Sequence, residues 1–153
     1  WCDIRIPIKH ALGIAREAAM DKKLIIEEEY IGDIPKVYVD EDQMTEVLTN
    51  LLLNAIDAVK EKGRVKISAR MVDNNLEITV EDTGEGIPPE NLDKIFNPFF
   101  TTKKGGTGLG LSITHRIVQE HGGKIKVESE VGKGTKVTLI IPGGFEHAKD
   151  THS

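Results

Sequence analysis

The chain has 153 residues, enough for one domain with a real core, and its 39% hydrophobic and 29% charged content is that of an ordinary soluble globular protein. A formal net charge of -5 argues against nucleic acid or an anionic membrane as a partner, and no apolar run approaches membrane-spanning length. The single cysteine, Cys2, excludes an internal disulfide and any multi-cysteine metal site, so a reducing, cytoplasmic setting is expected.

The chain opens on Trp1 rather than methionine and shows no signal-peptide pattern, which reads as a piece of a longer polypeptide, soluble or membrane-anchored. Direct membrane contact from this piece is not expected. Ile8, Ala11, Leu12, Ala15, Ala18 and Ala19 recur at helical spacing and predict a first helix from Pro7 to about Lys22. Leu24 to Tyr30 and Val37 to Val39 read as short strands separated by Gly32, Asp33 and Pro35. Glu41 to Glu61 is the strongest helix, with Asp40 or Asp42 to cap it and Gly63 to end it.

Val65 to Met71 and Leu76 to Val80 each alternate apolar with polar residues, and Asp73-Asn74-Asn75 between them predicts an antiparallel hairpin. A glycine-rich stretch follows, with a short helix near Pro89 to Ile95. Thr107 to His121 predicts a third long helix, closed by Gly122-Gly123, with His121 a cation near its C-terminus. Lys124 to Glu130 and Thr135 to Ile141 form a last hairpin around Gly132-Lys133-Gly134.

Every strand and helix has one apolar face. An α+β fold satisfies them all: a two-layer α/β sandwich, a mixed sheet covered on one face by three helices. Residues 1–142 form the domain, and residues 143–153 a polar, frayed tail.

Three features carry chemistry. Asn50 and Asn54 stack four apart at the edge of an apolar helix stripe made by Val47, Leu48, Leu51, Leu52, Ala55, Ala58 and Val59. They are either a solvated flank or an oxygen ledge for Mg²⁺. Asp82 continues the inward parity of Leu76, Ile78 and Val80, so its carboxylate needs donors. Those are either amides of the Gly84 to Gly86 turn or the amino group of a purine, which glycines allow to approach closely. Gly105, Gly106, Gly108 and Gly110 precede or open the third helix, as a hinge or as a phosphate cradle at a positive helix end. Between the clusters, Pro88 to Lys104 carries Phe96, Phe99, Phe100, Lys103 and Lys104, the texture of a mobile lid or of a surface loop with a small satellite core.

Taken in order, N-x-x-x-N at Asn50 and Asn54, D-x-G-x-G at Asp82, Gly84 and Gly86, F-x-P-F at Phe96, Pro98 and Phe99, and G-x-G-x-G at Gly106, Gly108 and Gly110 resemble the catalytic, ATP-binding domain of a bacterial sensor histidine kinase. Gly132-Lys133-Gly134-Thr135 resembles the last turn of that family, and "PFFTTKKGGTGLGLSI" is most similar to nitrogen-regulator-type kinases. The resemblance implies a Bergerat fold with ATP and Mg²⁺ between the asparagine helix and a mobile ATP lid. It implies that Asp82 binds the adenine amino group, that Gly86 and Ile87 line the base with Thr135 nearby, and that Asn54 holds Mg²⁺ with Asn50 assisting. The amides from Gly106 to Leu111 would hold phosphates. The whole implied contact set is Asn50, Asn54, Asp57, Asp82, Gly84, Gly86, Ile87, Phe99, Thr102, Lys103, Gly106, Thr107, Gly108, Leu109, Gly110, Leu111 and Thr135. The chain departs from many such kinases where they carry a basic and an aromatic residue three and four places after the second asparagine. Asp57 and Ala58 stand there, and Lys103 is a candidate to replace the missing charge.

The resemblance also implies partners: a histidine-bearing dimerisation domain of the same protein and a response regulator. ATPases of this superfamily place a glutamate one helical turn before the magnesium asparagine. Here that position is Asn50, and Glu46 lies about 12 Å from Asn54 along the helix axis. The chain is therefore expected to hold ATP for transfer rather than to hydrolyse it quickly. None of His10, His115, His121, His147 and His152 precedes an acidic residue in the phosphoacceptor pattern, so self-labelling is not expected. The alternatives are an ATPase module of the same superfamily and an anti-sigma-type serine kinase.

Overall fold

The computed structural model describes residues 1–59, 62–92, 94–96 and 110–143. Helix α1 spans Arg5–Ala18, strand β1 Lys23–Ile31, helix α2 Glu41–Ala58, strand β2 Lys62–Val72 and strand β3 Asn75–Asp82. The single turn α3 spans Pro89–Leu92, α4 Gly110–Glu120, β4 Lys124–Glu130 and β5 Gly134–Ile141. The strands form one mixed sheet in the order β1-β2-β3-β5-β4. β1 runs parallel to β2, as a crossover through α2 requires, and the other pairs are antiparallel.

Alternation decides the layers. Val65, Ile67 and Ala69 of β2, Leu76, Ile78 and Val80 of β3, and Leu139 and Ile141 of β5 point to one face and are buried. α1, α2 and α4 lay their apolar stripes on that face through Ile8, Leu12, Leu48, Leu52, Ile117 and Val118. Truncating a fully buried leucine such as Leu48 or Leu52 costs about 2–5 kcal/mol, so this layer dominates stability. The opposite face is polar, with Glu27–Arg64 at 2.8 Å, Glu29–Lys66 at 3.4 Å and Glu77–Arg70 at 3.6 Å across neighbouring strands. These pairs are largely exposed and contribute little stability.

The hairpin between β2 and β3 turns on Asp73 and Asn74, both at positive φ (50° and 65°), as a two-residue turn requires. Asp40 caps α2 by accepting the Gln43 amide at 2.9 Å. The end of α2 differs from expectation. It stops at Ala58 with Val59 already extended, and Gly63 lies inside β2. A methyl on Gly63 would meet the Thr83 hydroxyl at 2.6 Å, so that glycine serves close strand packing rather than a helix stop. The α2 stripe also includes Met44 and Ile56, both buried and both absent from the sequence-based stripe.

Other boundaries move as well. α1 starts at Arg5, two residues earlier than expected, and ends at Ala18; the helix after Pro88 is only Pro89–Leu92. The expected strand at Val37 to Val39 is a single bridge, in which Cys2 and Val37 exchange backbone hydrogen bonds of 2.8 and 3.0 Å. His121 is not a cation at the end of α4. Its Nδ1–H donates to the Ile117 carbonyl at 2.8 Å and its Nε2 accepts the Asp40 amide at 3.1 Å. That pair of bonds requires the neutral ring, and it ties the end of α4 to the cap of α2.

Candidate functional site

Three polar side chains occupy helix-facing positions at one end of the sheet, where the apolar alternation runs out. Asp82 extends Ile78 and Val80, Thr135 extends Val137 and Leu139, and Ser129 extends Ile125 and Val127. Asp82 pairs with Thr135 across β3 and β5, and Thr135 pairs with Ser129 across β5 and β4. The three therefore form a row across adjacent strands, beneath the helix layer. The Ser129 and Thr135 hydroxyls bond at 2.8 Å.

The Asp82 carboxylate is half-buried, and burial pushes its pKa up; hydrogen bonds from the backbone amides of Gly84 and Thr135 partly offset this. The Gly84 amide donates to Oδ1 at 2.8 Å. Both readings of the carboxylate's needs are thus open in one geometry: the turn supplies donors, and two oxygens with about four lone-pair sites keep room for another.

The turn after Asp82 is held on both sides. On one side the Glu85 amide donates to the Ala58 carbonyl at 3.1 Å, and a methyl on Gly84 would meet the Ala58 carbonyl carbon at 2.6 Å. On the other side the Gly132 amide donates to the Glu85 carbonyl at 2.9 Å. Gly86 sits at φ 78°, where a methyl would also collide with the Glu130 carbonyl. The Ile87 amide donates to the Ser129 hydroxyl at 2.7 Å. The turn is thus a fixed bracket between the end of α2 and the β4–β5 hairpin.

Ala58 is one helical turn beyond Asn54, about 6 Å along the axis. The asparagine flank of α2 therefore runs directly to the bracket. Asn50 and Asn54 are half-buried, and Asp57 and Glu46 are exposed. Among the described residues no group of three or more His, Cys, Asp or Glu side chains could hold a metal ion. A cation here would rest on amide oxygens and on the ligand's own charge. Such a donor set fits Mg²⁺ arriving with phosphates and does not fit a resident metal held by protein alone.

The structure brings together Asp82, Gly84, Gly86, Ile87 and Thr135, and carries Asn50 and Asn54 on the helix that abuts them. Gly110 and Leu111 open α4. Phe99, Thr102, Lys103, Gly106, Thr107, Gly108 and Leu109 lie outside the described residues, as do the expected lid beyond Phe96 and the tail from residue 144. At the near end of that segment the Phe96 ring stacks on His115 of α4, with centroids 5.0 Å apart and planes at 26°. Ser129 and Ala58 were missed in the sequence. Ser129 was findable, since a polar residue on the inward parity of "IKVES" carries the same signal that marked Asp82. Ala58 offered none, because it acts through its backbone carbonyl.

The profile of the family described as histidine kinase-, DNA gyrase B-, and HSP90-like ATPase matches residues 39–144. The chain is 40% identical over 140 residues to the sensor histidine kinase ZraS of Escherichia coli K12, covering 92% of this chain and 30% of that protein. It thus spans less than a third of the length of that curated relative. Among solved structures, the catalytic domain of histidine kinase ThkA superposes with a TM-score of 0.81 at 35% identity, covering 90% of this chain and 91% of that one. The mycobacterial sensor histidine kinase MprB gives a TM-score of 0.81 at 26% identity, over 93% of this chain and 97% of that one.

Proposed function

Because the chain belongs to the histidine kinase-, DNA gyrase B-, and HSP90-like ATPase family and has the fold of its histidine kinase catalytic domains, we propose that it holds Mg-ATP and presents the γ-phosphoryl group to a histidine on another domain of a longer sensor kinase. A response regulator would receive the phosphoryl group next. The observation that carries the reading is Asp82: a half-buried carboxylate with a raised pKa, fixed by backbone amides at the mouth of a glycine bracket. Such a group is a poor surface ornament and a good acceptor for an exocyclic amino group.

Within this reading Asp82 and Thr135 bind the adenine edge, and Gly84 and Gly86 keep the backbone low enough for a flat ring, with Ile87 against it. Asn54, with Asn50, would hold Mg²⁺, which supplies charge neutralisation at the phosphates when bound. Gly106 to Leu111 would contact phosphates through amides, with Phe99, Thr102, Lys103 and Thr107 around them, and Asp57 would lie on the same helix face. Positioning and electrostatics account for most of phosphoryl transfer, so a site with Asn50, rather than a carboxylate, one turn before Asn54 suits delivery to an external nucleophile. Glu46, two turns before Asn54 and exposed, is poorly placed to activate water.

The test is calorimetric titration of the chain with Mg-ATP, alone and as Asp82→Ala and Asn54→Ala. Saturable binding by the wild type, weakened in both variants, is expected. Equal binding by all three would overturn the site.

A further inference from the structure

The bracket that receives the base is seated on the end of α2, where the local cap bond runs from the Val59 amide to the Ile56 carbonyl at 3.2 Å. α2 stops without a glycine, with Val59 at φ -94° and ψ 117°. A helix ending this way leaves its last carbonyls to be satisfied from elsewhere. Two groups do so. The Glu85 amide takes the Ala58 carbonyl. The ammonium of Lys22, which directly precedes β1, donates to the Ile56 carbonyl at 2.8 Å and to the Val59 carbonyl at 2.9 Å. A cation at a helix C-terminus also meets the negative end of the dipole. Lys22 thus grips the residues on either side of the asparagine flank's last turn, while the bracket grips the carbonyl between them.

We infer that Lys22 is a positioning residue for nucleotide binding: it touches no nucleotide and acts by fixing the carboxyl end of α2, and through Ala58 the Gly84–Gly86 bracket. The chemistry follows from the bonds. Without Lys22, the Ile56 carbonyl keeps the Val59 amide but loses its charge-assisted donor, the Val59 carbonyl loses the same ammonium, and the last turn frays toward water. The Glu85–Ala58 hydrogen bond then loses a fixed acceptor, and Gly84 loses the surface against which it is packed. Arginine at position 22 keeps donors and charge; methionine keeps the apolar stem alone.

The nucleotide half of this inference rests on the proposed function, so the test has two readouts. The first is amide hydrogen exchange in the ligand-free protein, at Glu85 and at Ile78 and Val80 of β3. Lys22→Met should lower protection at Glu85 by roughly tenfold more than in β3, whereas Lys22→Arg should hold both near wild type. The second is Mg-ATP affinity, expected to fall on the order of tenfold in Lys22→Met and to recover in Lys22→Arg. Should the methionine variant not fold, Lys22→Gln, which retains one neutral donor group, is read the same way and should fall between the others. Protection at Glu85 that drops no further than in β3, or Mg-ATP affinity unchanged in a folded variant, overturns the inference. A wild type that binds no Mg-ATP sinks the proposed function instead and leaves the exchange result to stand by itself.

Discussion

The amide of Glu85 donates to the carbonyl of Ala58 at 3.1 Å, joining the turn after β3 to the last turn of α2. This one bond sets the asparagine flank and the Asp82 bracket in a fixed relation. Gly84 permits it, since a methyl there would meet the Ala58 Cβ at 2.7 Å. Gly84→Ala should therefore lower stability by about 1–3 kcal/mol through overpacking and weaken nucleotide binding as well. Chemical denaturation with a parallel nucleotide titration checks both, and a variant as stable as wild type would show that the contact is loose.

Asp82 should trade stability for binding. Its folded-state pKa lies above the ordinary value of 3.8 because burial disfavours the charged form. The folded protein therefore keeps this proton to higher pH than the unfolded chain does. Its contribution to stability is highest below 3.8 and declines as pH rises through the raised folded value. Asp82→Asn removes that decline. Relative to wild type, the variant should gain stability as pH rises from acid to neutral while its Mg-ATP affinity falls. Unfolding measured across that range checks the sign; a stability difference that does not vary with pH would refute the linkage.

Asn54 is proposed to act through the metal. Asn54→Ala should weaken binding of Mg-ATP more than binding of ATP in excess chelator, while Asp82→Ala should weaken both alike. Titrations with and without Mg²⁺ separate the two roles. Equal losses in Asn54→Ala under both conditions would assign it to the nucleotide itself.

His121 is structural in this account. Its neutral ring bridges the Ile117 carbonyl and the Asp40 amide. His121→Ala should cost about 1–2 kcal/mol for the two bonds lost and leave Mg-ATP affinity in the folded protein nearly unchanged. Thermal unfolding beside a nucleotide titration reads both quantities.

Much of this was legible in the sequence because apolar alternation and helical spacing are strong local signals. They marked out the three main helices, six strands of which five form the sheet, and the layering, and inward parity alone singled out Asp82. What escaped was tertiary. Nothing local says that α2 will end at Ala58, because its last carbonyls are capped by Lys22 and Glu85 from elsewhere in the chain. Gly63 resembled a helix stop but meets Thr83 in a strand. Val37 resembled a strand, but among the described residues its ladder partner is Cys2, thirty-five residues earlier, and one bridge does not extend. His121 looked like a charge for a helix dipole until Asp40 was placed against it.

The most direct test of the central claim follows the phosphate. The chain is incubated with γ-labelled ATP and Mg²⁺, together with a separate piece carrying the histidine-bearing helical domain proposed for the longer sensor kinase. Acid-labile label is expected on that domain, none on this chain, and loss of transfer in Asp82→Ala and Asn54→Ala. Rapid release of free phosphate that Glu46→Ala abolishes, or acid-stable label on the partner, would contradict it.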